Sequence, residues 1–409
     1  LAFQKIFNDP VYGFVSVGSE RVFRLVEHRW FQRLRRIQQL GLGSLVYPGA
    51  IHTRFQHALG ALHLMDKTLG VLTAKGHSFT EQEREGAAAA ILLHDIGHGP
   101  FSHALEKTLV PGLHHEGLSL AFMQALEAEM GEPLTTAMSI FNGKHPKRCL
   151  HELINSQLDV DRLDYLTRDT YFTGVHEGVI GTNRIVDMLD LAPDGGLVVE
   201  AKGIYSIEKF IVARRIMYWQ VYLHKTVLCA EQMLVRALAR ARELTLAGQV
   251  LFASPPLLWM LQQPPAKVAI ADRDFLEIFA QLDDSDIWSA LKVWSRSSDK
   301  VLALLATALV DRRLFGIVMQ NEPFEAQRLA DLQAAAQRNW SLSPEEAGYL
   351  VFDDKTANSA YNRQLKNIRI RYKDGTILDL GQATDELNMS FLADPVVKHY
   401  LCYPKNLRA

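Results

Sequence analysis

Apolar residues run without interruption from Gly86 through Ala87-Ala88-Ala89-Ala90-Ile91-Leu92 to Leu93. A helix that is hydrophobic on every side is buried, so this run predicts a core helix rather than an amphipathic surface one. It leads straight into His94-Asp95, and Gly97 and Gly99-Pro100 predict its stop. His98 follows on the turn and His103 on the next predicted helix. Carrying an imidazole and a carboxylate out of a core is costly unless both are satisfied, and one metal ion satisfies both at once.

Elsewhere the pattern is helical with short extended interruptions. Residues 1–18 read as short strands and turns, with Asp9-Pro10 as a turn signal, followed by a helix over 22–28. Trp30 to Leu40 has the spacing of one amphipathic helix ended by Gly41 and Gly43, its three arginines forming a solvated face. Thr53 is placed to cap a helix that carries Arg54 and His57 in its first turn. His115-Glu116 stands before a helix that runs to Met130.

Over 158–169 a helix would put Asp161, Tyr165 and Asp169 on one face at i, i+4 and i+8, with Arg162 beside them and Val160, Leu163 and Leu166 on the packed face. Asp164 and Arg168 read as an ordinary i, i+4 ion pair. A strand with a turn is expected over 197–203, then one long helix over 207–238 bearing Arg214, Tyr218, Tyr222 and Lys225 as a polar and aromatic stripe. Helices are expected over 274–318, and Asn321-Glu322-Pro323 is a helix start. Lys373-Asp374-Gly375-Thr376 between two apolar runs is a hairpin signal. The fold class expected is mainly α, with small β-hairpins and an α+β C-terminal region. The division expected is 1–320 for the core and 321–409 for the appendage.

The bulk numbers narrow the function. With 409 residues, 48% hydrophobic and 22% charged, the chain has ample core. A formal charge of −2 gives no global basic field, so nothing points to nucleic acid or an anionic membrane as a partner. No apolar run reaches membrane-spanning length. The three cysteines, Cys149, Cys229 and Cys402, share no metal-ligand spacing and read as reduced thiols of a cytoplasmic protein.

Each candidate has a bland reading when taken alone. A histidine such as His57 at the start of an apolar helix is usually a satisfied core residue, and a polar stripe is usually a wet face. Together, His57, His94, Asp95 and Asp161 offer two imidazoles and two carboxylates, a donor set for a divalent Fe, Mn, Zn, Co or Mg ion. Such an ion stabilises charge on a phosphoryl oxygen. His98, His103 and His115 suit proton transfer beside it, and Arg54, Arg162 and Arg214 match phosphate oxygens. The reaction class indicated is metal-assisted phosphohydrolysis.

The ordered series His57, His94-Asp95, Asp161, with His98 and His103 spaced as they are, resembles that of the HD-domain phosphohydrolases. More narrowly the chain is similar to the deoxynucleoside triphosphate triphosphohydrolases, through Asn8-Asp9-Pro10, Phe31 to Arg35, Gln39-Leu40-Gly41, Arg54 to Gly60, His94 to His103, His115-Glu116, Val160 to Asp169, Tyr222 to Lys225 and Arg312 to Phe315. The likeness runs from about residue 5 to 316.

The resemblance implies an HD-domain helical core and a metal held by His57, His94, Asp95 and Asp161. It places His98, His103 and the His115/Glu116 pair at the α-phosphate, and Arg54, Arg162 and Arg214 on the phosphates. Tyr165, Asp169, Gln39 and Leu40 would meet the deoxyribose, and Tyr222 would flank the base. The products implied are a deoxynucleoside and intact triphosphate. A homo-oligomer, dimer or tetramer, is implied as well, with regulatory nucleotides near Lys5, Asn8, Gln32, Arg35 and Arg312. Arg162 departs from the lysine of the vertebrate enzyme, Leu223 replaces a glutamine near the base, and Gly316 and Glu27 depart from the regulatory pattern. The competing readings are an HD phosphohydrolase acting on another nucleotide or phosphoester, and a non-catalytic sensor of nucleotides or single-stranded nucleic acid.

Overall fold

Three capped helices meet at the centre of the molecule. Gln56 Oε1 accepts the Thr53 N–H at 2.9 Å in a capping box that starts helix Arg54–Ala74. Thr80 and Glu83 exchange the same pair of bonds at the start of Glu81–Leu93. The Asp159 carboxylate accepts the Arg162 N–H at 2.8 Å and opens Val160–Thr173. The first of these helices packs against both of the others, and the run Gly86 to Leu93 is buried throughout, as its apolar pattern demands. The computed structural model describes residues 3–101, 108, 114–263, 272–358, 367–384 and 396–407.

The architecture is mainly α. The hairpin of β1 (Lys5–Asp9) and β2 (Gly13–Val17) precedes the helical core. β3 (Leu189–Leu191), β4 (Leu197–Glu200), β7 (Arg369–Arg371) and β8 (Ile377–Asp379) form one sheet in that order, with β4 and β7 parallel. β5 (Gly316–Gln320), β9 (Val396–Tyr403) and β6 (Phe352–Asn358) form another. Both sheets join strands from either side of residue 320. The hairpin signalled around Gly375 is β7–β8, and Gly375 has the positive φ, +89°, that the turn needs. No helix among the described residues is long and apolar enough to cross a membrane.

Several expectations are corrected. Trp30 to Leu40 is not one helix: Arg29–Gln32 is α, Arg33–Arg36 is a tighter 3₁₀ turn, and Gln38 then bridges to Thr53 in extended conformation. The reason is Arg33, which is fully buried instead of solvated and donates to the Ile96 carbonyl at 2.7 Å and the Leu282 carbonyl at 3.3 Å. Burial pushes its guanidinium down to about 9.

The long helix expected over 207–238 is two helices, Ile204–Met217 and Lys225–Leu246, joined by a π turn over Tyr218–Tyr222. The second starts afresh because the His224 imidazole accepts the Thr226 N–H at 3.2 Å. The core helix stops at Leu93, ahead of Gly97, with His94 as its cap. The helix expected from Pro323 begins at Ala326, and residues 316–320 are strand rather than helix.

The N-terminal hairpin is tied to the core by charge. Asp9 accepts from Arg168 Nη1 at 2.8 Å, and Arg168 also holds Asp164 through Nε at 2.9 Å and Nη2 at 3.1 Å. The side chains of Arg168 and Asp164 are completely buried. Removing one member of such a set leaves the others charged and unpaired. Arg168→Met is therefore expected to lower the unfolding free energy by about 3–5 kcal/mol, read from the urea midpoint; a loss under 1 kcal/mol would mean that the hairpin is held by packing alone.

Candidate active site

The ring nitrogens of the central histidines are oriented by what lies behind them. His57 Nδ1 donates to Asp164 Oδ2 at 2.7 Å, and His94 Nδ1 donates to the Ile91 carbonyl at 2.6 Å. Both acceptors take a proton and give none, so each ring turns its Nε2 inward with a free lone pair. Neither Nε2 makes a hydrogen bond among the described residues. Asp161 Oδ1 lies 3.0 Å from His57 Nε2 and 3.4 Å from His94 Nε2.

His57, His94 and Asp161 offer donor atoms that all lie within 4.8 Å of one another. This donor chemistry fits a divalent cation of the borderline or hard class. Asp95 stands at the edge of the trio: its Oδ1 is 3.3 Å from His94 Nε2 and from His98 Nε2, and its Oδ2 accepts from Arg54 Nη1 at 2.6 Å.

The electrostatics ask for positive charge. Burial pushes His57 down, but the Asp161 and Asp164 carboxylates outweigh it and hold the ring up at about 10. Burial likewise opposes ionisation of Asp161 and Asp95. The flanking imidazoles, with Arg54 added at Asp95, nonetheless hold both carboxylates below the usual range. His98 goes the other way. Burial and then Arg54 push it down to about 3, so at neutral pH it is a neutral imidazole with one N–H and one lone pair.

His98 stacks on His115, ring centroids 3.9 Å apart and planes 16° from parallel. Two close approaches make this stack. Gly97 lies so near the start of helix His115–Met130 that a Cβ on it would come within 2.3 Å of the His115 carbonyl. Ser119 then staples the turn, accepting the Gly97 N–H at 3.0 Å and donating to the His94 carbonyl at 2.6 Å. His103 lies outside the described residues.

These groups open into one cleft of about 690 Å³. Gln39, Leu40, Arg54, His94, Asp95, His98, His115, Glu116, Asp161, Arg162, Tyr165, Asp169 and Tyr222 all line it. His57 is wholly buried behind the wall. Arg162 is anchored through its Nε, which donates to the Ser156 carbonyl at 2.7 Å and to Asp159 at 3.1 Å. Arg214 is not in the wall. It is buried one helical turn behind Tyr218, its guanidinium 5.8 Å from that ring.

Lys5, Asn8, Gln32 and Arg35 lie away from the cleft. Lys5 and Arg35 stand over the linked rings Phe23 and Phe55, and Gln32 accepts from Arg35 Nε at 2.8 Å. Arg312 is elsewhere, donating to the Leu45 carbonyl at 2.7 Å.

Sequence reasoning missed the groups behind the wall. Asp164 is not an ordinary ion-pair partner but the carboxylate that orients His57. The signal was its position three residues after Asp161 on one helix, where a ligating imidazole needs a carboxylate behind it. His52 and Ser119 carry no such signal, because each acts across the fold, and Asp159 carries only that of a helix cap.

The chain matches the HD domain over residues 54–169 and the HD associated region over 180–250. It is 31% identical to the uncharacterized protein YwfO of Bacillus subtilis over 100% of this chain and 94% of that protein. The crystal structure of a phosphohydrolase from Bacteroides thetaiotaomicron is 49% identical, covers 98% of this chain and 100% of its own, and superposes with a TM-score of 0.95. A Dictyostelium discoideum homolog of the deoxynucleoside triphosphate triphosphohydrolase SAMHD1 is 30% identical over 58% of this chain and 49% of that protein, so this chain spans about half of it. The chain belongs to the HD-domain phosphohydrolase family.

Proposed function

We propose that the protein hydrolyses deoxynucleoside triphosphates to a deoxynucleoside and inorganic triphosphate. One observation carries this reading. Helix Val160–Thr173 presents Asp161, Tyr165 and Asp169 to the same cleft, one turn apart, in steps of about 6 Å. A metal ligand, an aromatic ring and a carboxylate in that order suit a phosphate, a sugar and a sugar hydroxyl. The Tyr222 hydroxyl donates to Asp169 Oδ2 at 2.7 Å, and the Tyr165 and Tyr222 rings meet edge to face at 6.0 Å, closing the sugar end with aromatic surface.

When bound, a divalent cation supplies Lewis acidity at the α-phosphate, and His57, His94 and Asp161, with Asp95 beside them, are the residues that would hold it. Arg54 and Arg162, which line the same cleft, neutralise phosphate oxygens. Arg162 does so with its fork fixed in place, since Asp159 and Ser156 hold its Nε. Water adds to the α-phosphorus and the bond to the 5′-oxygen breaks. The proton that the water loses balances the one that the leaving oxygen gains. The stacked His98–His115 pair, with Glu116 beside it, carries it, the neutral His98 ring having a lone pair to take a proton before one is given up. Arg214, whose guanidinium lies 5.8 Å from the cleft-lining Tyr218 ring, is the third arginine that this reading assigns to the phosphates. In the same reading the chain works as a homo-oligomer in the cytoplasm, and the surface of Lys5, Asn8, Gln32 and Arg35, with Arg312, takes regulatory nucleotides.

The test is product analysis. The protein with a single dNTP and Mn²⁺ is expected to release triphosphate and deoxynucleoside, separable by ion-exchange chromatography; pyrophosphate or orthophosphate would assign the site to another phosphoester. Asp95→Ala is expected to abolish turnover, because it removes a carboxylate beside the metal trio that Arg54 and His98 both engage; retained activity would sink the mechanism. Gly60→Ala tests the support of the metal. A Cβ there would stand 2.0 Å from Asp164 Oδ1 and 2.2 Å from Arg168 Nη2, prying the carboxylate off His57. Metal affinity by titration calorimetry should fall about 10–100-fold. Nucleotide activation predicts a faster rate with mixed dNTPs than with any one alone, and equal rates would remove that part of the reading.

A further inference from the structure

Both elements assigned to the sugar are held by one residue that neither the chemistry so far nor the comparisons use. His52 lies in the extended segment before helix Arg54–Ala74, and its side chain is completely buried. Its ring Nε2 donates to Asp169 Oδ1 at 2.7 Å. Its backbone carbonyl accepts the Gln39 N–H at 2.9 Å. Its ring stacks on Phe172, centroids 4.5 Å apart and planes 14° from parallel. The other ring nitrogen, Nδ1, has no hydrogen-bond partner among the described residues. The tautomer with its single proton on Nε2 is the one that buries no unpaired N–H.

Asp169 is thereby a carboxylate with one oxygen occupied by His52 and the other by the Tyr222 hydroxyl. The two partners differ. His52 is wholly enclosed and locked by the Phe172 stack, while Tyr222 closes the π turn Tyr218–Tyr222 and lines the cleft. A sugar hydroxyl entering the cleft competes with Tyr222 and leaves His52 in place. Without the His52 ring the carboxylate would keep only the Tyr222 hydroxyl, the contact that a sugar hydroxyl displaces, while the Gln39 bond, made to the backbone, would persist, so the effect falls on Asp169.

We infer that His52 is the positioning residue for hydroxyl recognition: it fixes the Asp169 carboxylate from behind and ties the Gln39 segment to it, so that a substrate lacking the 3′-hydroxyl is discriminated against. The inference rests on the reading of the cleft as a dNTP site. It assigns His52 no contact with substrate.

The experiment compares kcat/KM for a dNTP and for the matching 2′,3′-dideoxynucleoside triphosphate in the wild type, His52→Ala and His52→Asn. The wild type is expected to prefer the dNTP by about 10–100-fold, the range a hydrogen bond to a charged group supplies. His52→Ala is expected to collapse the ratio toward one by raising KM for the dNTP alone. His52→Asn, which keeps a buried donor, should restore part of the preference. A purely structural role would lower both substrates equally and leave the ratio intact. A wild type that discriminates while both variants keep its ratio overturns the inference and spares the functional reading. A wild type that hydrolyses both substrates alike overturns the role of Asp169 and the inference with it. No turnover of either substrate by the wild type overturns the functional reading itself.

Discussion

The Asp164 carboxylate, completely buried between Arg168 and His57, is the contact on which the rest of the site depends. It accepts from Arg168 on both oxygens and from His57 Nδ1 on one. A buried carboxylate is tolerable only when its lone pairs are filled. Filling them from opposite sides does two jobs with one group. It pins the N-terminal hairpin, through Asp9, to the central helices. It also fixes the tautomer of His57, so that the lone pair of Nε2 faces Asp161. The fold and the metal chemistry thus share a charge network, and a change to one is felt in the other.

Close packing at two glycines lets the network exist. Gly60 sits on the His57 helix one turn along, where any side chain would occupy the space of Asp164 and Arg168. Gly97 brings the His94 turn against the start of helix His115–Met130, which sets His98 on His115. Neither glycine has a positive φ, so conformational freedom is not what they supply; both give up a Cβ so that polar groups can meet.

Much of this was legible in the sequence where local spacing decides it. The buried helix before His94, the cap at Thr53, the hairpin at Gly375 and the single face of Asp161, Tyr165 and Asp169 follow from periodicity and turn chemistry. The failures have a common cause. Arg33 looked like a solvated helix residue, yet it is fully buried by contacts from Ile96 and Leu282, which lie far along the chain. The π turn at Tyr218–Tyr222 inserts into a stretch whose periodicity reads as one continuous helix. His52, Ser119 and Asp9 act on residues dozens to more than a hundred positions away, and nothing in their local pattern marks them.

The charges of the connected set argue for what the centre holds. Asp9, Asp95, Asp161 and Asp164 bring four negative charges to a buried region, and Arg54 and Arg168 bring two positive ones. With the imidazoles neutral, the set is short of two positive charges. Protonating His57 supplies one of them, which is why its neighbours hold it up at about 10. Asp95 and Asp161 hold His94 up as well, so protons on both rings would close the balance, but they would consume both of the lone pairs that Asp164 and the Ile91 carbonyl have aimed inward. A divalent cation supplies both charges and uses those lone pairs. Arg54, buried and held on Asp95, lines the same cleft, where a phosphate would meet it. Burial of an acidic cluster, costly in itself, thereby concentrates cations at the one place where an anionic substrate must be cleaved.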